Sequence, residues 1–130
     1  MNIDHFLLPK YFQKYCTGVL IPEGLIKSRL EKVVFDIVHF YSGCPFTLVT
    51  LLKGSSRVFE ELIALLRNYV EIGCYNFDIR YEFVTAKSYV NTESGELTIT
   101  GLKKDTVHNK NILIVEDIID SGRTLDAFTK

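Results

Sequence analysis

Apolar positions recur along this chain with two different periods, and those periods predict helices and strands in turn. Residues 47–52 have the composition of a strand, residues 53–56 of a loop, and residues 58–69 repeat as an amphipathic helix. An earlier helix is predicted over residues 25–41, where apolar side chains recur every three or four positions before the Ser42-Gly43 stop signal. This order of helix, strand, loop and helix predicts an α/β fold built on a parallel sheet.

The second half of the chain continues the same pattern. Residues 77–84 are rich in β-formers, and they lead through Lys87 into a polar stretch at residues 91–96 that is long enough for a mobile loop. Residues 97–100 are expected to return as the second strand of a hairpin, and residues 101–110 to form a polar connection. Residues 112–115 are consecutively apolar, which predicts a strand buried on both faces of a parallel sheet. Residues 1–20 have no clear period and are expected to pack on the core.

Composition narrows the class of protein. The 130 residues suffice for one domain at most, and 47% hydrophobic with 24% charged residues is ordinary for a soluble globular chain. A net charge of -1 argues against a nucleic-acid partner, and the apolar runs are too short to span a membrane. Three scattered cysteines without zinc spacing, and a start unlike a signal peptide, predict reduced thiols and a cytoplasmic location.

The candidate chemistry lies where the last strand ends. Glu116 and Asp117 follow that strand, and Asp120 opens a short Ser-Gly-Arg-Thr loop before the pattern becomes helical again. Ligands of open α/β sheets bind beyond the carboxyl ends of strands, beside helix N-termini. The loop offers backbone N–H groups, two hydroxyls and a cation to an anion, and the acids suit hydroxyls or a metal-bound ligand. A sugar-phosphate site is therefore predicted, although acids and a serine here could also merely cap the helix.

Residues 115–124, with the sequence VEDIIDSGRT, resemble the phosphoribosyl pyrophosphate (PRPP) signature of type I phosphoribosyltransferases, and more narrowly of hypoxanthine-guanine phosphoribosyltransferases. Other segments agree in order: residues 19–26 resemble the entry to the family's first core helix, residues 51–54 its pyrophosphate loop, and residues 87–89 its flexible catalytic loop. The resemblance covers residues 11–130. It implies a type I phosphoribosyltransferase fold, a mostly parallel twisted sheet flanked by helices with a flexible hairpin loop. Residues 21–130 would be a partial domain, incomplete at the C-terminus.

The resemblance also implies an activity and residue roles. Members transfer the phosphoribosyl group of PRPP to hypoxanthine or guanine, with Mg²⁺, releasing pyrophosphate and forming IMP or GMP in purine salvage. Asp120 would be the general base or acid at the purine. Lys53 and Gly54 would face pyrophosphate, and Ser88 and Tyr89 would close over the site and exclude water. The PRPP- and nucleotide-binding positions would be Glu116, Asp117, Ile118, Ile119, Asp120, Ser121, Gly122, Arg123 and Thr124.

Magnesium and subunit contacts follow from the same resemblance. Glu116 and Asp117 would hold Mg²⁺ indirectly, through the bound ligand, because the family's direct metal ligand comes later than Lys130. The residues that read the purine base also come later, so the base preference is left open. A homo-oligomer, dimer or tetramer, is expected of the full-length form. We therefore expect a C-terminally truncated chain with little or no transferase activity, an exposed strand at residues 112–115, and a marginal last helix, below about 12–15 residues.

Three positions depart from the family's usual pattern. Ser55 stands where a second glycine is usual, and its Cβ is expected to hinder a positive φ or a close phosphate approach. Thr85 stands in place of an arginine associated with subunit contact. Arg123 replaces the more frequent lysine, a change that backbone-mediated binding should tolerate.

Two alternatives to a salvage enzyme remain open from the sequence. One is a non-catalytic PRPP- or nucleotide-binding regulator on the same fold, and the other is a partner subunit that docks on a full-length protein. His5, His39 and His108 have no partner pattern and are interpreted as structural or exposed.

Overall fold

The computed structural model describes residues 1–73, 78–88 and 97–129. Its elements follow the predicted order, with a 3-10 turn at Ile3–His5 before the first helix. The helices are α1 (Lys10–Gln13), α2 (Glu23–Tyr41), α3 (Ser56–Gly73), α4 (Lys104–Val107) and α5 (Arg123–Thr129). The strands are β1 (Phe46–Leu52), β2 (Ile79–Ser88), β3 (Leu97–Thr100) and β4 (Asn111–Val115).

The four strands form one mixed sheet in the order β3-β2-β1-β4. Strand β1 runs parallel to both of its neighbours, with Thr50 opposite Phe83 of β2 and opposite Val115 of β4. Strand β3 returns antiparallel to β2, which confirms the expected hairpin. Because β1, β2 and β4 are parallel, the loops that follow β1 and β4 leave the sheet at the same edge.

One face of the sheet is covered by α2 and α3. Phe59 and Leu66 of α3 are fully buried there against Leu48 of β1, and the Phe59 and Phe83 rings meet edge to face at 5.0 Å. These positions are apolar at helical spacing on α3 and at alternate positions on the strands, so each element presents one apolar face to the same layer. The buried set is Val34, Val38, Phe46, Leu48, Phe59, Leu62 and Leu66.

The opposite face of the sheet carries a smaller core. Val49, Leu51 and Val84 are buried there, and Leu125 and Phe128 of α5 pack against them. Helix α5 is therefore held on the sheet by its apolar side chains, which offsets its short length.

Strand β4 lies at one end of the described sheet and pairs with β1 alone. Leu113 and Val115 pack against one core and Ile112 and Ile114 against the other, so both faces of the strand are covered as predicted, but residues 112–115 are only half-buried. The physical reason is position in the sheet, because a strand with one neighbour keeps one edge open to solvent. The expected exposed edge is present in the described part of the chain.

Several element boundaries differ from the sequence prediction. Helix α2 begins two residues early, at Glu23 after Pro22, and ends where Ser42 adopts a left-handed φ of 47°. Helix α3 extends to Gly73, four residues past the last position of the predicted repeat. The connection at residues 101–110 contains α4, which is too short and polar to produce a periodic signal.

Two hydrogen bonds join the ends of the N-terminal segment, residues 1–20. The Met1 ammonium group donates to the Val19 carbonyl at 3.0 Å, and the Val19 N–H donates back to the Met1 carbonyl at 3.1 Å. Leu7 and Leu20 are almost fully exposed. The packing of this segment on the core, and the division into residues 1–20 and 21–130, stay predictions.

Among the helices within the described ranges, none combines the length and apolar character needed to cross a lipid bilayer.

Candidate functional site

The loop after β1 connects a strand to a helix in only a few residues. Lys53 is exposed, and its carbonyl accepts a hydrogen bond of 2.8 Å from the Ser56 hydroxyl. The Phe59 N–H donates to the Ser55 carbonyl at 2.9 Å, which is the first hydrogen bond of α3. The loop is therefore short and hydrogen-bonded on the side that faces the helix.

Gly54 of this loop lies directly against Asp117, which follows β4. A Cβ placed on Gly54 would collide with Asp117 Oδ2 and would lie 2.8 Å from its Cγ. The φ of Gly54 lies outside the left-handed region, so the glycine serves here to leave room for the exposed Asp117 side chain and not to permit a special backbone conformation. The structure thus brings together two of the sequence-predicted segments, the Lys53-Gly54 loop and the acids after β4.

Ser55 does not have the effect expected from the sequence. Its φ is not positive and its side chain is fully buried, so its Cβ neither strains the backbone nor faces outward. The Ser55 hydroxyl instead lies 2.7 Å from Thr50 Oγ1 and donates to the Leu51 carbonyl at 2.7 Å. Sequence reasoning missed this pair, although a threonine and a serine flanking a strand end are a recognisable signal for a local side-chain hydrogen bond.

Glu116 occupies a partly buried position between β4 and Asp117. Its Oε2 atom is buried and has no hydrogen-bond partner in the described part of the chain. Burial raises the pKa of the Glu116 carboxyl, and the adjacent Asp117 carboxylate raises it further. An unpaired buried oxygen is costly, so this carboxyl is poised to accept a hydrogen bond from a ligand hydroxyl.

Eight residues between positions 116 and 125, with Asp117 and Arg123 not among them, line a cavity of about 180 Å³. Asp120 is exposed and lines this cavity, so it is neither buried in the apolar interior nor directed away from the loop that follows it. Gly122 has a φ of 76°, a left-handed conformation that glycine adopts without steric cost, and its carbonyl accepts the Asp126 N–H at 2.9 Å. The other lining residues are Glu116, Ile118, Ile119, Ser121, Thr124 and Leu125.

Two further predicted site residues lie at the ends of elements. Arg123 is the first residue of α5 and is exposed, while Ser88 is the last residue of β2. Tyr89 lies outside the described residues. A larger cavity of about 420 Å³ lies between the starts of α2 and α3, and it shares no lining residue with the cavity beside Glu116 and Asp120.

The arrangement is chemically suited to a phosphorylated sugar. The cavity wall carries the hydroxyls of Ser121 and Thr124, a left-handed glycine and the carboxyl groups of Glu116 and Asp120. Asp117, next to Glu116 in the chain, lies against Gly54 of the loop after β1. Within the described ranges, no three His, Cys, Asp or Glu residues form a group that could hold a metal ion by themselves. The model of the family described as "Phosphoribosyl transferase domain" matches residues 23–130.

The chain belongs to the phosphoribosyltransferase family. Among curated relatives of this phosphoribosyltransferase chain, the hypoxanthine-guanine-xanthine phosphoribosyltransferase of Plasmodium falciparum is 38% identical over 98% of the chain. The hypoxanthine-guanine phosphoribosyltransferases of Schistosoma mansoni and Homo sapiens are 39% and 31% identical over 94% and 95% of it. These matches confirm the predicted family and favour the enzyme interpretation over a non-catalytic regulator.

Solved structures give the same result for the fold. The Schistosoma mansoni hypoxanthine-guanine phosphoribosyltransferase in complex with IMP superposes with a TM-score of 0.67 at 29% identity, covering 98% of this chain and 57% of that one. A Trypanosoma cruzi hypoxanthine phosphoribosyltransferase also gives 0.67 at 28% identity, covering 85% and 58%. The predicted phosphoribosyltransferase fold is therefore confirmed.

This phosphoribosyltransferase chain matches only part of each relative. It spans 57% of the Plasmodium protein, 45% of the Schistosoma protein and 58% of the human protein.

Proposed function

We propose that this chain supplies the PRPP-binding part of a purine-salvage phosphoribosyltransferase. The reaction joins the ribose C1 of PRPP to a nitrogen of hypoxanthine or guanine, breaks the bond from C1 to pyrophosphate, and yields IMP or GMP. The single observation that supports the proposal is the contact of Gly54 with Asp117, next to the cavity lined by Glu116 and Asp120, because it brings the loop after β1 and the motif of residues 115–124 together.

The loop after Asp120 would bind the 5′-phosphate. Ser121 and Thr124 provide hydroxyls at the cavity wall, Gly122 allows the backbone N–H groups to converge, and Arg123 adds a positive charge. A phosphate held by several N–H donors and a cation is a common solution at the end of a parallel strand. Asp120 would exchange a proton with the purine as general base or acid, and Ile118 and Ile119 complete the nucleotide-binding set.

Glu116 and Asp117 would hold the ribose hydroxyls. The buried, unpaired Oε2 of Glu116 is the observation that supports this role, because a sugar hydroxyl would satisfy it. Glu116 and Asp117 would contact Mg²⁺ through the bound ligand, as the resemblance to the family implies, and the metal would supply positive charge to the pyrophosphate.

The pyrophosphate end of the site would be formed by the loop after β1. Lys53 offers a cation, and Gly54 offers an N–H beside the carboxylate of Asp117. Ser88 and Tyr89 would close over the reacting atoms and exclude water, which otherwise hydrolyses PRPP. For the whole protein we further propose a cytoplasmic location and a dimer or tetramer of identical chains.

A binding experiment on the ¹⁵N-labelled chain tests this assignment. Titration with PRPP and Mg²⁺ should shift the amide signals of Gly54 and Gly122 together, because the two ends of one ligand would reach both loops. Asp117→Asn should weaken the effect, whereas Asp36→Asn on α2 should not. Shifts at neither glycine, or shifts unchanged by Asp117→Asn, would contradict the proposal.

A further inference from the structure

The Ser55 side chain is part of a buried hydroxyl chain at the base of the β1 loop. Ser55 and Thr50 are both 0% exposed, and their hydroxyl oxygens are 2.7 Å apart. The Ser55 hydroxyl donates its single proton to the Leu51 carbonyl at 2.7 Å. The Thr50 hydroxyl must therefore donate to Ser55, which gives one direction to the chain, from Thr50 through Ser55 to Leu51.

The hydroxyl chain ties the two ends of the loop together. Leu51 lies one residue beyond the last pair of β1 with β4, and its carbonyl accepts the Ser55 hydroxyl across the turn. The Ser56 hydroxyl donates to the Lys53 carbonyl, and the Asp117 side chain lies against Gly54. The exposed backbone of Lys53 and Gly54 is thus supported from below by side-chain hydrogen bonds.

We propose that Ser55 is a positioning residue, which with Thr50 fixes the Lys53-Gly54 backbone in the shape that receives pyrophosphate before the ligand arrives. The inference rests on the proposed function of that loop. A fully buried hydroxyl cannot touch the ligand, so its contribution comes through preorganisation of the loop, which reduces the entropy lost on binding. Thr50 is fully buried beneath the same turn and takes part through its hydroxyl.

The test compares two ligands in four single variants and one double variant of the chain. Ser55→Ala should weaken the binding of magnesium pyrophosphate about tenfold. It removes two buried hydrogen bonds, and part of their stabilisation of the loop is expected to appear as lost affinity. Thr50→Val should weaken it several-fold, whereas Thr50→Ser, which keeps the hydroxyl, should bind as the original chain does. Ser28→Ala, at an exposed position on α2, is the matched control.

GMP is the second ligand, because its phosphate would bind at residues 121–124 and not at the β1 loop. Its affinity should stay within about twofold in all four variants, and amide signals in NMR titrations report both affinities even when binding is weak. The double variant Thr50→Val/Ser55→Ala should be no weaker for pyrophosphate than Ser55→Ala alone, since it removes the hydroxyl that the single change leaves unpaired.

The outcomes separate this inference from the function on which it rests. Ser55→Ala that binds pyrophosphate normally, or that weakens pyrophosphate and GMP equally, overturns the positioning role. An original chain that binds neither ligand overturns the proposed function itself. The role of Ser55 is supported if Ser55→Ala and Thr50→Val lose affinity for pyrophosphate but not for GMP, while Thr50→Ser binds both as the original chain does.

Discussion

The contact between Gly54 and Asp117 predicts that adding one methyl group at position 54 lowers the free energy of unfolding. In Gly54→Ala the new Cβ would collide with Asp117 Oδ2 and approach Cγ to 2.8 Å. The Asp117 side chain can turn away, but Oδ1 then gives up the hydrogen bond of 3.0 Å that it accepts from the Ile118 N–H. Because Asp117 is exposed and free to adopt another rotamer, the cost is the lost hydrogen bond alone, about 0.5–1.5 kcal/mol.

Gly24→Ala is the matched control for this change. An added Cβ at Gly24 meets nothing within 4 Å, so the substitution should stabilise the chain by about 0.4–1 kcal/mol through the unfolded state. Gly54→Ala gains the same entropic term, because the φ of Gly54 is also outside the left-handed region. The free energy of unfolding of Gly54→Ala should therefore lie about 0.5–1.5 kcal/mol below that of Gly24→Ala.

Urea unfolding followed by circular dichroism measures both variants under the same conditions. The double variant Gly54→Ala/Asp117→Ala removes the obstructing carboxylate, so the double-mutant cycle should give a coupling energy of about 0.5–1.5 kcal/mol. Equal stability of Gly54→Ala and Gly24→Ala, together with a coupling energy near zero, would show that Asp117 does not press on Gly54.

Three further predictions follow from single side chains. Burial raises the pKa of Glu116 in the folded chain, so the stability that Glu116 contributes should fall as pH rises above its ordinary pKa of 4.5; the difference in unfolding free energy between Glu116→Gln and the original chain, measured in urea, should change with pH in that sense. Gly122→Ala should lose about 1–2 kcal/mol from its left-handed φ of 76° alone, and an unchanged urea midpoint would rule that conformation out. Phe59→Ala should lower the free energy of unfolding by about 3–5 kcal/mol, because Phe59 is fully buried and its ring contacts Phe83. Thermal melting measures this loss, and a near-normal melting temperature would contradict the described core.

Local periodicity predicted much of the fold. Helices α2 and α3 follow repeats that are set by neighbouring residues, and β1 and β4 are apolar runs bounded by polar loops. The half-burial of β4 was not predictable from its composition, since four apolar residues look the same in a central strand and in an edge strand. Helix α4 was missed because four residues are too few for a period.

The candidate site was predictable as a set of residues but not as a geometry. The motif of residues 115–124 pointed to the candidate acids and to the Ser-Gly-Arg-Thr loop, since the proposed roles depend on residue type and spacing. The reason for a glycine at position 54 lies in Asp117, which is distant in sequence, so no local rule reveals it. The burial of Ser55 was likewise invisible, because the same side chain could have faced the ligand.

The pairing of Thr50 with Val115 determines when the site can exist at all. Strands β1 and β4 are separated along the chain by α3, the hairpin and α4, so their alignment is a non-local event that is slow to form. A shift of one residue in that alignment would displace Asp117 along the sheet by about 3.3 Å and would reverse the faces of β4. Ligand binding at the proposed site would therefore require β4 to be correctly paired with β1. A chain in which β4 is not paired would have Gly54 in place but would lack Asp117 beside it.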